Sequence, residues 1–469
     1  MAKKTTSIII ALILIFLNLS VSFAQESTDN PIYIVQPGEN LTEIADKFNV
    51  SVQEIISING IIDSNLISVG TELFIPGLEG VSGFLISYPV QIGESFQVLL
   101  RKYHLTTENF LKLNKLTSPA EIFVGTNLIL PSNDQDGQNL NSSFSISKES
   151  STFGQAVIHK QNRWFVNKFN DNNFSIGIPG ESFYFPSEDA ANLSSPFSPY
   201  IQSIKLSPLP IVQGHTSVIK VTSSLPVELT GELDNHVLRF FLDPTNQFYY
   251  ALDGIHALEE QGLVDLKING VFENGEIFQV DQKVLLSLGG YVEESLSVKY
   301  TFIDEELNIQ ESKRIDDLLE PVSDEKLWIE TFRFPVDGSL SDQTIAFSSY
   351  FGNRRSYNSG QYFGFHGGLD FTVVLNSLNI YAPAPGVVIF TGPMDIRGNT
   401  TFIDHGQGVV SGYAHQIEIL VEKDQRVETG QLIGKIGNTG RVTGPHLHWD
   451  IWVNGNQVDP FDWVENIYP

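Results

Sequence analysis

The chain has 469 residues, and at about 100 to 200 residues per domain this length predicts roughly three to five folded units. Its 55 acidic and 28 basic residues give a formal net charge of -27, which argues against nucleic acid as a partner because a polyphosphate would be repelled. Cysteine is absent, which excludes disulfides and thiolate metal sites, so a bound transition metal would need His, Asp or Glu as ligands.

The N-terminal segment has the three parts of a secretory signal. Lys3 and Lys4 precede an apolar run over residues 8–19, and small residues stand at the −3 and −1 positions of a cut after Ala24. The run is shorter than the roughly 20 residues that cross a bilayer. We therefore predict a signal peptide over residues 1–24 and an exported protein without a membrane span after cleavage; a retained anchor is the alternative.

Two stretches that follow repeat each other at an offset of 55 residues. The opening motif Tyr-x-Val-Gln-x-Gly-Glu, a central Asn and the closing motif Val-Gly-Thr-x-Leu with a final Pro recur in the same order. The matched positions are Tyr33 and Tyr88, Asn59 and Asn114, Val69 and Val124. In each copy a strand leads to Gly-Glu, which opens a helix, and a second helix and a closing strand follow. The sequence predicts small β-α-α-β units over residues 32–77 and 86–132.

These motifs resemble LysM modules. The resemblance implies that the two units bind glycans containing N-acetylglucosamine, such as those of peptidoglycan; a purely structural repeat is the alternative. A weaker third copy is indicated by Gly180 and Pro186, each of which lies 55 residues after the matching residue of the second repeat. Its opening motif is missing, and Lys148 occupies the position where Gly is expected. We interpret residues 141–187 as a degenerate LysM-like unit, with glycan binding left open. The polar residues 132–151 are typical of a flexible linker.

Residues 195–321 show a different pattern. Short alternating runs, such as residues 218–221 and 263–268, are separated by Gly, Asn and Pro, which favours an antiparallel β-sandwich. The pattern is similar to an immunoglobulin-like module without its disulfide, which would serve as a spacer. The charged end of this segment predicts a connector that is helical over residues 311–319.

Histidine is concentrated near the C-terminus. Five of the ten histidines lie in the last part of the chain: His366, His405, His415, His446 and His448. In a strand, residues i and i+2 share a face, so His446 and His448 should project together. Gly367 and Gly368 allow the segment between His366 and Asp370 to bend, so these two side chains can converge. Imidazoles and a carboxylate that leave positions for water are typical of catalytic zinc.

The motifs His-x-x-x-Asp, Tyr-Ala-His and Gly-Pro-His-Leu-His, in this order, resemble the lysostaphin/LytM-type zinc endopeptidases over residues 328–469. The resemblance implies a C-terminal antiparallel β-sheet metallopeptidase domain. It also implies an enzyme of the periplasm or cell wall that hydrolyses peptide stems or cross-bridges of peptidoglycan with metal-activated water. The predicted fold is thus multidomain, part α+β and part all-β.

The family's roles carry over by motif. His366, Asp370 and His448 would hold one Zn²⁺, and His415 and His446 would be catalytic, with the division of roles between these two left open. Asp450 could orient an imidazole from behind the ligands. For His405, a hydrogen-bonded structural role is the better interpretation.

Three competing interpretations remain. The stretch around Lys435 is also similar to half of a biotinyl or lipoyl carrier motif, although the usual Met-Lys-Met context is absent. The protein could be a non-catalytic wall-binding regulator or activator of amidases, as degenerate relatives that lost their ligands are. A glycan-binding scaffold would leave the histidine motifs unexplained. Gln416 and residues 377–381 depart from the family pattern, which leaves substrate preference open.

Overall fold

A computed structural model of the protein describes residues 31–36, 38–63, 67–78, 81–103, 105–132, 143–145, 182–184, 197–245, 247–296, 305–341, 343–357, 362–372 and 377–469. The predicted signal peptide lies outside the described residues, as do Lys148 and nearly all of the third LysM-like unit. The exceptions in that unit are strands β5 (Ser143–Ser145) and β6 (Ser182–Tyr184). Within the described ranges, no helix has the length and apolar character needed to cross a bilayer.

The described chain divides into two compact units. One contains residues 31–86, 103–117 and 129–132, and the other contains the remainder, including everything from residue 197 onward. The second repeat contributes segments to both units. All the predicted metal-binding and catalytic side chains lie in the second unit.

Both repeats fold in the predicted order of strand, helix, helix and strand. The first consists of β1 (Ile32–Ile34), α1 (Leu41–Phe48), α2 (Val52–Asn59) and β2 (Glu72–Phe74), and the second of β3 (Phe84–Pro89), α3 (Phe96–Lys102), α4 (Thr107–Asn114) and β4 (Asn127–Ser132). The repeated asparagine connects the second helix to the closing strand. Asn59 Nδ2 donates to the carbonyls of Ile55 and Phe74, and its Oδ1 accepts the Phe74 N–H at 2.7 Å. Asn114 makes the same bonds in the second repeat.

The middle domain, residues 197–287, consists of two sheets around one apolar core. Its strands are β7 (Ile201–Ser207), β8 (Ile211–Val212), β9 (Thr216–Ser223), β10 (Val227–Leu233), β11 (His236–Leu238), β12 (Phe241–Leu242), β13 (Tyr249–Gly254), β14 (Gly262–Phe272) and β15 (Ile277–Ser287). The sheet orders are β11-β10-β14-β15-β8 and β12-β13-β9-β7. Ile219 of one sheet and Leu266 of the other are fully buried in a shared cluster. The immunoglobulin-like topology stays a prediction.

Ile92 and Val124, from the second repeat, belong to that same cluster. The Val124 N–H donates to the Lys283 carbonyl at 3.2 Å, and the Gly93 N–H donates to Gln282 Oε1 at 3.0 Å. This part of the second repeat is therefore packed against the middle domain.

The C-terminal domain is built on one large antiparallel sheet. Its elements are β16 (Glu293–Leu296), α5 (Glu305–Leu319), β17 (Ala346–Ser349), β18 (Arg354–Tyr357), β19 (Tyr362–Phe365), β20 (Leu369–Thr372), β21 (Asn379–Tyr381), β22 (Gly386–Met394), β23 (Gly398–Gly406), β24 (Val409–Ile419), β25 (Arg426–Val427), β26 (Leu432–Ile436), β27 (Leu447–Val453), β28 (Asn456–Val458) and α6 (Pro460–Glu465). The main order is β17-β20-β27-β24-β23-β22-β25, so β20, β27 and β24 are adjacent. The three histidine motifs lie on or beside these adjacent strands.

Helix α5 is longer than the predicted helix over residues 311–319. It starts at Glu305, where Glu305 and Glu306 place negative charge at the helix N-terminus and so stabilise the first turn. Its buried Ile315 and Leu319 pack in a cluster with Trp452 of the large sheet. The helix is thus part of the C-terminal domain rather than a free connector.

Candidate active site

The register of two strands brings Asp370 and His448 together. They are directly opposite in the antiparallel pair β20–β27, and His448 Nδ1 lies 2.8 Å from Asp370 Oδ1. Gly368 makes this approach possible, since a Cβ there would collide with the carbonyl oxygen of Trp449 on β27. The glycine of the His-x-x-x-Asp motif therefore has a packing role.

His366 completes a group of three. It follows β19, is 4% exposed, and places Nε2 3.0 Å from Asp370 Oδ1 and 3.1 Å from His448 Nδ1. Its Nδ1–H donates to the carbonyl of Tyr350 at 2.8 Å, and because a carbonyl can only accept, Nε2 is left with its lone pair facing the group. The structure thus brings together the three side chains predicted to bind metal.

The three ligand atoms fit around a single divalent cation. They form a triangle with sides of 2.8, 3.0 and 3.1 Å. Zinc ligands at about 2.0–2.2 Å in tetrahedral geometry are about 3.3–3.6 Å apart, so a small outward shift accommodates the ion. Two imidazole nitrogens and one carboxylate oxygen are donors that zinc accepts, and they leave one position of the tetrahedron open.

The electrostatics of the group favour positive charge. Burial opposes ionisation of Asp370, but the adjacent imidazoles of His366 and His448 outweigh it and hold the pKa of that carboxyl well below its usual range. Burial likewise disfavours a charged His448, but its bonds to Asp370 and Asp450 prevail and raise its pKa to about 9. The carboxylates of Asp370 and Asp450 thus lie on either side of His448. A bound cation would replace the proton on His448 Nδ1.

His415 and His446 form a second pair beside the first group, with ring centroids 4.8 Å apart. His415 has a φ of 64° at the point where β24 changes partner from β27 to β26. Its Nδ1–H donates to the Thr439 carbonyl at 2.9 Å, and burial, together with His448 and His446, lowers its pKa to about 3. A neutral ring with a free Nε2 lone pair results.

His446 faces the same group of metal-binding side chains. Its Nδ1–H donates to the Gly444 carbonyl at 2.8 Å, and its Nε2 lies 3.8 Å from Asp370 Oδ1. His446 and His448 therefore face one centre, as the i and i+2 spacing predicts. All five predicted site residues are found in one cluster.

Asp450 and Arg397 lie behind the cluster. His448 Nε2–H donates to Asp450 Oδ2 at 3.2 Å, and Arg397 Nη2 donates to the same oxygen at 2.6 Å. Asp450 is fully buried, and Gly412 opposite it on β24 provides the space, since a Cβ there would lie 2.5 Å from Oδ1. Sequence reasoning identified Asp450 but missed Arg397, because a single arginine in a hairpin turn carries no motif that signals burial.

The two residues with alternative interpretations lie outside the cluster. His405 is fully buried, donates from Nδ1 to the Pro385 carbonyl at 2.7 Å, and accepts from Ser411 Oγ at 2.7 Å through Nε2. This environment is that of a structural histidine. Lys435 forms an ion pair with Glu418 at 2.8 Å on the sheet surface.

Comparison with known proteins agrees with this geometry. The sequence profile of peptidase family M23 matches residues 364–460, the segment that contains all five clustered residues. The chain carries an M23 peptidase domain. The LysM domain profile matches residues 33–76 and 88–131, so the two repeats are LysM domains.

Several known proteins are similar to part of this chain. The peptidoglycan DD-endopeptidase ShyA of Vibrio cholerae is 39% identical over 127 residues, which is 27% of this chain and 28% of that protein. The DD-carboxypeptidase/endopeptidase Mpg of Neisseria meningitidis is 38% identical over 95 residues, 20% of this chain and 22% of that protein. The matched region thus spans less than a third of these relatives. The catalytic domain of lysostaphin from Staphylococcus simulans aligns with 28% of this chain and 100% of its own, at 23% identity and a TM-score of 0.24.

Proposed function

We propose that the protein is an exported zinc metallo-endopeptidase that hydrolyses peptide stems or cross-bridges of peptidoglycan, while its LysM domains hold it on wall glycan. The observation that carries the proposal is the triangle of His366, Asp370 and His448 with His415 and His446 beside it, inside an M23 domain. The names of two similar proteins, a peptidoglycan DD-endopeptidase and a DD-carboxypeptidase/endopeptidase, support the substrate class.

His366 Nε2, Asp370 Oδ1 and His448 Nδ1 are the atoms that would hold the zinc ion. When bound, the ion supplies Lewis acidity, which polarises a carbonyl and makes water a better nucleophile near neutral pH. Tyr350 and Asp450 fix the two imidazoles by accepting their outer N–H groups at 2.8 and 3.2 Å. These outer bonds keep the ligand nitrogens aimed inward before any ion arrives.

His415 and His446 would share the proton transfers. The Nδ1–H of His415 is bonded to the Thr439 carbonyl, so its Nε2 lone pair would accept a proton from the attacking water and pass it to the leaving amine. His446 Nε2 lies beside the same group, 3.8 Å from Asp370 Oδ1, and would take part in these proton transfers. Their partners Thr439 and Gly444 hold both rings in place through Nδ1.

The remaining regions would bring the active site to its substrate in the cell wall. We infer that residues 1–24 direct export and are removed, that the enzyme works in the periplasm or cell wall, and that the middle domain is an immunoglobulin-like spacer. Glycan binding by the LysM domains, with N-acetylglucosamine as the recognised sugar, would raise the local concentration of wall peptides at the active site.

Metal removal tests the central claim. We expect zinc-loaded protein to clear purified sacculi and release cleaved muropeptides, and a chelator to reduce this activity more than about 100-fold, since loss of several kcal/mol of Lewis-acid stabilisation has this effect. One equivalent of Zn²⁺ should restore it. Turbidity and mass spectrometry of the released fragments provide the measurement. Protein that holds zinc yet leaves sacculi and soluble cross-linked muropeptides intact would instead be a wall-binding regulator.

Wall attachment is tested through Asn59. Its replacement by alanine removes the hydrogen bonds between α2 and β2, at a cost of about 0.5–1.5 kcal/mol for each bond to the first LysM domain. We expect Asn59→Ala to sediment less with sacculi but to cleave a soluble muropeptide as well as wild type does. Gln53→Ala, at an exposed position of the same helix, is the matched control. Equal sedimentation of Asn59→Ala and wild type would contradict a binding role for this domain.

A further inference from the structure

Helix α5 lies outside the segment that matches the M23 family, yet it contacts the turn behind the active site. We propose that Glu311 of this helix is a positioning residue for the catalytic centre, acting through the turn that joins β22 to β23. The inference rests on the proposed function for its catalytic consequence. Its consequence for the geometry of the metal-binding group is independent of the substrate.

Glu311 is the buried charge of α5, with 6% exposure. Its carboxylate accepts two backbone N–H groups of the turn, from Ile396 at 2.7 Å and from Arg397 at 3.1 Å. Hydrogen bonds to a charged acceptor are about twice as strong as neutral ones, and two of them on adjacent residues fix the orientation of the peptide between them. The helix therefore sets the conformation of the turn at Arg397.

Arg397, in this turn, is connected both to the metal-binding group and to His415. The Arg397 side chain binds Asp450 at 2.6 Å, and Asp450 accepts from Nε2 of His448, whose Nδ1 faces the metal-binding group. The Arg397 carbonyl accepts the backbone N–H of His415 at 2.8 Å. The positive φ of His415 is costly for a non-glycine residue and needs such external bonds to persist.

A second contact of α5 supports the same role. Asn308 Oδ1 accepts from Arg441 Nη2 at 3.0 Å, and the Arg441 N–H donates to the Ile396 carbonyl at 2.8 Å. Arg441 belongs to the loop that leads into His446. Helix α5 is thus bonded to the turn at residues 396–397 and to the loop before His446, and each of these supports an active-site histidine.

The test compares Glu311→Gln with Glu305→Gln, the same substitution at an exposed position of the same helix. The amide keeps the shape of the side chain, but its oxygen can accept only one turn N–H while its NH₂ faces the other. We expect Glu311→Gln in the full chain to lower the zinc affinity of the metal-free protein and kcat on a soluble cross-linked muropeptide by about tenfold each. KM should change little, and the amides of Arg397 and His415 should exchange hydrogen faster. Glu305→Gln should match wild type in all of these.

Two outcomes would overturn the proposal. One is wild-type zinc affinity, kcat and amide protection in Glu311→Gln. The other is a lower melting temperature with an unchanged kcat and zinc affinity per folded molecule, which is the signature of a merely structural residue. Should Glu311→Gln not fold, Glu311→Asp keeps the buried charge but withdraws its oxygens by one methylene, and wild-type values there would equally refute the role. If wild-type protein binds zinc but cleaves nothing, the proposed function fails, while the zinc-affinity and exchange measurements still decide this inference.

Discussion

Replacing His448 with alanine should abolish both zinc binding and wall cleavage, whereas replacing His446, two residues earlier, should abolish cleavage alone. His448 Nδ1 forms one corner of the triangle, 2.8 Å from Asp370 Oδ1 and 3.1 Å from His366 Nε2. Without it only two ligands remain, and both zinc occupancy and activity should fall below detection. His446 lies 3.8 Å from Asp370 and makes no side of the triangle. We expect His446→Ala to retain one zinc ion and to lose about 10²- to 10⁴-fold in kcat, the range for a proton-transfer group.

Each variant is the control for the other, because the two residues are of the same type and lie two positions apart in one segment. Zinc is measured by elemental analysis after dialysis, and kcat with a soluble cross-linked muropeptide. The assignment of roles would be wrong if His446→Ala lost its zinc, or if His448→Ala retained both zinc and activity.

The second large effect concerns the buried pair behind His448. Asp450→Leu alone should reduce the free energy of unfolding by about 3–5 kcal/mol, because Arg397 is then left as a largely buried charge without its carboxylate. It should also weaken zinc binding by about 10- to 100-fold, since the outer N–H of His448 loses its acceptor. Denaturant unfolding followed by tryptophan fluorescence suits this measurement, because four of the five tryptophans lie in the C-terminal domain.

The double variant Arg397→Met/Asp450→Leu separates the two effects. Replacing both members of a buried ion pair with apolar side chains of similar size often restores stability, so we expect most of the lost free energy of unfolding to return. Zinc affinity should stay low, because His448 Nε2–H still has no partner. A double variant as unstable as Asp450→Leu, or one with wild-type zinc affinity, would contradict this interpretation.

The parts of the protein that local patterns specify were predictable. The repeat at an offset of 55 residues identified two β-α-α-β units, because caps, turns and the bridging asparagine are encoded within a few tens of residues. The same holds for His446 and His448, which share a face through strand alternation, and for His366 and Asp370, which two glycines allow to converge. Family resemblance assigned roles to these residues, and the geometry then placed them in one cluster.

Other features could not be predicted from local patterns, because they form only when strands far apart in the chain pair. Nothing near Arg397 in the sequence indicates that it meets Asp450, and nothing in α5 indicates that Glu311 accepts two N–H groups of a hairpin turn 85 and 86 residues away. The left-handed backbone of His415 likewise depends on β24 changing partners. The sequence by itself determined which residue types are available and which neighbours share a face, since these follow from local backbone geometry. The tertiary structure alone decided which buried charges meet, because that depends on the register and packing of segments far apart in the chain.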